Sequence, residues 1–67
     1  MVEIVMTFCR FRHDENFKPV GDPQYAQIRS TGGAKGINAE VQMLRDSNEM
    51  DKYTPWTFVR VDEMEVV

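Results

Sequence analysis

The sequence predicts a small α+β domain of strand–strand–helix–strand order. Three observations carry that reading: an unbroken β-branched and aromatic run near the start, a glycine-rich break followed by helical spacing, and a proline-led return to alternation near the end. The expected sheet is three-stranded and mainly antiparallel, in the order 2-1-3, with one helix packed on one face.

Residues 3–12 form the clearest strand, with neither Gly nor Pro in the run. Ile4, Met6 and Phe8 point to one side, and Val5, Cys9 and Phe11 to the other. Two apolar faces imply a central strand, or one covered by a helix on one side and by something else on the other. Residues 13–23 read as a long loop because Lys18-Pro19 and Gly21-Asp22-Pro23 break the pattern twice. Phe17 and Val20 within it either pin the loop to the core or form an exposed contact.

Residues 24–31 read as a weaker strand with Tyr25, Gln27 and Arg29 on a polar side, hence an edge. The segment Gly32-Gly33-Ala34-Lys35-Gly36 then interrupts the chain. Asn38 is the expected N-cap of a helix running to about Asn48, with Glu40 in its first turn and Ile37, Val41, Met43 and Leu44 at core spacing. Asp46, Glu49 and Asp51 oppose the helix dipole, so the far end should fray over residues 47–50. Thr54-Pro55 stops the helix before a third strand over residues 56–61. The alternation changes phase after Val61, which a bulge or turn at Asp62-Glu63 would explain. Residues 63–67 are then a frayed tail or a short extra strand.

Size and composition narrow the function. A chain of 67 residues, 42% hydrophobic and 28% charged, is one globular domain spanning residues 1–67. It buries only ~60% of its unfolded surface, so a partner or second subunit would help it. One cysteine, Cys9, closes no internal disulfide, and one histidine, His13, anchors no Cys/His zinc site, so no metal or cofactor is expected. No apolar run approaches the ~20 residues of a membrane span. Glu3 occupies the place of a signal peptide's basic region. The lone thiol fits a reducing compartment, so the expected location is the cytoplasm.

Net charge is −3, unevenly placed: five basic against four acidic residues in 1–36, and three against seven in 37–67. The acids Asp46, Glu49, Asp51, Asp62, Glu63 and Glu65 are the candidate partner-binding surface, able to face a basic protein. Acidic runs are more commonly plain solvated faces. Arg10, Arg12 and Arg29, with Lys18 and Lys35, interleave with Phe11, Phe17 and Tyr25, a combination that single-stranded nucleic-acid modules use. No RNP-like motif accompanies them, and a solvated strand end accounts for them more simply. Gly32, Gly33 and Lys35 precede a helix and could cradle an anion, although the P-loop spacing is absent and a flexible connection is the commoner use. Cys9 and His13 lie ~13 Å apart on an extended strand, so no catalytic pair is expected and Cys9 reads as a small buried hydrophobe. Five methionines suit either gap-filling or an adaptable docking surface.

The favoured expectation is a small acidic, non-enzymatic protein-binding module. It would act as an inhibitor or adaptor docking on a larger host or cellular protein, a role that accessory products of viruses or mobile elements often fill. The alternative is a single-stranded nucleic-acid-binding module. A homodimer through an unpaired edge strand is a further partner reading; a membrane is not expected as a partner.

Overall fold

The computed structural model describes residues 2–31 and 34–65, without the side chains of Ala34 and Lys35. Its elements are β1 (Val2–His13), β2 (Pro19–Ser30), α1 (Ala34–Asp46) and β3 (Thr57–Glu65). The sheet order is β2-β1-β3, and both neighbours run antiparallel to β1. The expected ββαβ architecture is therefore present. Its shortest extent is 12 Å, so the molecule is two layers deep, one sheet and one helix.

β1 sits centrally because both of its faces and both of its edges are used. Phe8, 1% exposed, lies opposite Ala26 on one side and Phe58 on the other. Facing residues share a side of the sheet, so Ile4, Met6, Phe8 and Ile28 point toward α1, where Ile37, Val41 and Leu44 meet them with Trp56. Phe8 and Phe58 meet edge to face, with ring centroids 5.9 Å apart.

Among the described residues no second layer of secondary structure covers the opposite face, yet Val5 is only 2% exposed there. Val5 lies between Arg29 on β2 and Asp62 on β3. The ion pairs Arg29–Glu3 (2.9 Å) and Arg60–Asp62 (3.1 Å) hold long side chains over it. Aliphatic stems cover the apolar residue while their charged heads stay in water. The expected cover of this face is thus supplied by the strands themselves.

Four boundaries differ from expectation, each for a local reason. The long loop at 13–23 is a tight turn. Asp14 N–H donates to the Lys18 carbonyl (2.9 Å) and Asp14 Oδ1 accepts from the Asn16 and Lys18 amides (2.8 and 3.0 Å). β2 then begins at Pro19, since an edge strand tolerates proline where no ladder donor is needed. The residues Gly21-Asp22-Pro23 are absorbed as an irregularity opposite Phe11, where Gly21 adopts φ +75°. Phe17 and Val20 are exposed, at 73% and 41%.

The helix starts at Ala34, so Asn38 lies inside it and is not its N-cap. Ile37 must be helical to share one face with Val41 and Leu44, and its burial outweighs the local capping preference. Met43, expected in the core, is 71% exposed. At the far end the chain continues in turns: the Ser47 amide bonds the Met43 carbonyl, and the Lys52 and Tyr53 amides bond the Glu49 carbonyl.

The phase change in the third strand is a bulge at Val59, not at Asp62-Glu63. Thr7 faces Arg60 while Phe8 faces Phe58, leaving Val59 as the extra residue. As a result Val61 joins Phe58 on the helix side, and β3 runs on through Glu65 with no separate tail from Glu63. Val66 and Val67 lie outside the described residues.

Phe17 has φ 61°, a left-handed conformation that disfavours a bulky side chain. Phe17→Asn should raise unfolding stability by about 0.5–1 kcal/mol. Urea denaturation measures this, and an unchanged or lowered midpoint would refute the strain.

Candidate functional site

Arg10 belongs to the helix-facing row of β1, which brings it beneath the end of α1 and the following loop. Its guanidinium carbon lies 3.8 Å from the Tyr53 ring centroid and 4.4 Å from that of Trp56. Its Nη1 donates to Asn48 Oδ1 (2.8 Å) and its Nε to Gln24 Oε1 (3.1 Å). A planar cation on aromatic faces is well stabilised, and these bonds fix its orientation. Arg10 thus joins β1, β2, the helix end and the approach to β3, and is occupied structurally. The Trp56 Nε1 beside it is buried without a hydrogen-bond partner among the described residues.

The basic patch expected from the sequence is therefore divided. Arg10 is enclosed. Arg12 is exposed on the same side of β1. Arg29 lies on the opposite face, paired with Glu3. Gly32, Gly33 and the Lys35 side chain lie outside the described residues, so the anion-cradle reading falls outside them too.

The six acids are also divided. Asp46 accepts from Gln42 (2.8 Å), and Glu49 pairs with Lys52 (3.5 Å), both at the end of α1 nearer the hairpin. Asp62, Glu63 and Glu65 lie on β3, opposite Val5, Ile4 and Val2. The chain after α1 meets β1 at Arg12 through Tyr53, roughly 23 Å along the strand from Val5, where Asp62 pairs. The acids form two surfaces, not one.

Cys9 is a free, half-buried thiol, and the structure does not bring His13 to it. His13 Nδ1 faces the Asp14 carbonyl (2.9 Å), and Nε2 faces the Met50 carbonyl (2.8 Å). Carbonyls only accept, so both nitrogens bond at once only when both carry protons. The pKa is accordingly raised above its ordinary 6.5, first by the Met50 carbonyl and then by that of Asp14, with the charges of Asp14 and Asp51 adding to them. The clip ties the hairpin to the loop after α1, helped by the His13 amide on the Lys52 carbonyl (3.0 Å) and by the Phe11 amide on Thr54 Oγ1 (2.9 Å). No sequence signal marks Tyr53, Thr54 and Trp56 as partners of β1, because they come together only through the return of the chain.

Two edges remain, and they differ. Every residue of β3 is exposed, including Phe58, Val59, Val61 and Met64 at 48%, 46%, 53% and 51%. Phe58 and Val61 face the helix side but are not among the side chains packed into the core cluster. On the other face, Thr7, Tyr25, Gln27, Val59 and Arg60 line an open hollow of about 640 Å³. Among the described residues no three His, Cys, Asp or Glu side chains gather as a metal cluster, and no helix is long and apolar enough to cross a membrane.

Comparison of the chain with protein-family models, with curated proteins and with solved structures returned no match.

Two outcomes follow from the clips. Arg10→Lys keeps the charge but loses the planar stack and the directed bonds, and should cost about 1–2 kcal/mol in chemical denaturation. A substitution without effect would show that the sandwich contributes nothing. The raised pKa of His13 gives a stabilising contribution that is complete below 6.5 and lost as the pH rises through the folded value. Thermal melting against pH should show this decline in the wild type and not in His13→Gln; parallel profiles would disprove it.

Proposed function

We propose that this chain is a non-enzymatic protein-binding module, an inhibitor or adaptor, that docks on a larger protein through β3. The observation that carries this reading is the strand itself: nine exposed residues with Phe58 and Val61 outside the core cluster. Apolar side chains clustered on an exposed strand favour a protein partner over a small ligand. Glu63 and Glu65, on the same face of β3 as Phe58 and Val61, edge the patch, so the complementary surface is an apolar groove edged with Lys or Arg. The second acidic group, Asp46, Glu49 and Asp51, lies too far along the sheet to share that contact and acts as solvated surface. The same reading places the chain in the reducing cytoplasm, where a half-buried free thiol such as Cys9 persists.

Quantitative affinity purification tests this with three baits: the wild type, Val61→Lys, and the double variant Asp46→Lys, Asp51→Lys. A stoichiometric protein should accompany the wild type and the helix-end variant and be lost from Val61→Lys. Retention of the partner by Val61→Lys, or recovery of none by any bait, would overturn the proposal.

A further inference from the structure

The free edge of β2 has a different character from that of β3. Between Gln24 and Ser30 its pairing with β1 runs without a break, from Arg10↔Gln24 to Ile4↔Ser30. Devices that keep an edge strand from pairing (proline, glycine and bulge) are confined to Pro19, Gly21 and Pro23. Over residues 24–30 the only charge is Arg29. β3 by contrast carries its bulge at Val59 and four charges, Arg60, Asp62, Glu63 and Glu65, which guard it against a second copy of itself.

We propose that two copies of this chain join along β2, antiparallel about a two-fold axis at Gln27, into one six-stranded sheet with both helices on the same face. The strand order becomes β3-β1-β2-β2-β1-β3. The docking surface is independent of β3 and leaves one β3 at each end, so the dimer would present the surface of the previous section twice.

Self-complementarity selects this register. A two-fold axis normal to the sheet keeps each face on its own side, so only registers that oppose residues of the same face are allowed. With the axis at Gln27, Gln27 meets its own copy, and the two amides can exchange hydrogen bonds in place of their long contacts to Thr7 (3.5 Å) and Arg29 (3.4 Å). Tyr25, 65% exposed, stands opposite the partner's Arg29, an aromatic–cation pair on the open face. Ala26 stands opposite the partner's Ile28 on the helix face. Moving the axis to Ala26 or Ile28 keeps the faces but loses the Tyr25–Arg29 pairs and shortens the unbroken ladder.

The helix layer agrees. A hollow of about 350 Å³ opens beside the same edge, lined by Ile28, Glu40, Met43, Leu44 and Ser47. Met43 stands 71% exposed next to it, on the flank of α1 that turns away from β1. α1 lies beside β2: Ile37 packs with Ile28, and Leu44 and Ser47 line the hollow next to it. In the dimer this hollow faces the symmetry mate, and the partner's Met43 has apolar surface there to enter. A flexible thioether adapts well to such a contact.

Sedimentation over a concentration series gives the mass, and single cysteines in a Cys9→Ser background give the register. Residues facing across an antiparallel pair have Cα atoms ~4.5–5.5 Å apart, within disulfide reach. The wild type should be a dimer, Gln27→Cys should form a covalent dimer on mild oxidation, and Tyr25→Cys should not. Met43→Lys, at an exposed site where far-UV circular dichroism can confirm the fold, should weaken dimerisation roughly tenfold or more. Val61→Lys should leave the dimer intact. A monomer at high concentration, equal cross-linking at positions 25 and 27, or dimerisation lost with Val61→Lys but kept with Met43→Lys would each overturn the proposal. Because Val61→Lys separately reads the partner surface, failure of the dimer and failure of β3 docking are told apart.

Discussion

The structure depends on the pairing of β1 along both of its edges. In a chain this short, only a strand with neighbours on each side can satisfy its backbone groups while burying side chains on both faces. Phe8 is the meeting point. It lies between Ala26 and Phe58 in the ladder and beneath Ile37, so the two ladders and the helix contact share one side chain. The open face contributes differently, through Val5 sealed under paired charges rather than under a second layer. A two-layer protein can thus bury both sides of its central strand without a third layer.

Arg10 and His13 extend that arrangement beyond the end of the regular ladder. Both are seated by geometry: Arg10 against the Tyr53 and Trp56 rings, His13 between two carbonyl oxygens that favour its protonated form. Each ties the chain after α1 back to β1, where β3 has not yet begun. A sheet with one helix and no disulfide has few ways to anchor such a connection, and directed contacts to charged groups are among the stronger ones available. Arg10 is thereby held between β1 and the chain after α1, and Glu3 pairs with Arg29 on the opposite face.

In the proposed assembly the two edges divide the interaction chemistry. β3 is irregular, charged and apolar by turns, which suits a partner of different composition. The regular part of β2 is nearly uncharged and reads well against itself. The bulge at Val59 matters to both roles, because it rotates Val61 to the helix side beside Phe58 while spoiling a long self-pairing ladder on that edge.

The sequence alone determined the element order, the central position of residues 3–12, the edge character of residues 24–31 and the absence of a reachable Cys9–His13 pair. These are properties of local periodicity and chain length, and they survive any detail of packing. Tertiary structure decided the rest. Pro19 and Pro23 could enter β2 only because it became an edge, and the helix began at Ala34 because Ile37 had a core to fill. The phase of β3 was set at Val59 by its partner strand, and no spacing within residues 57–65 could locate that bulge. The candidate surfaces divided for the same reason: Arg10 and Arg29 fell on opposite faces, and Asp62 fell on the face opposite Glu63 and Glu65, because position in a sheet follows register and not sequence order.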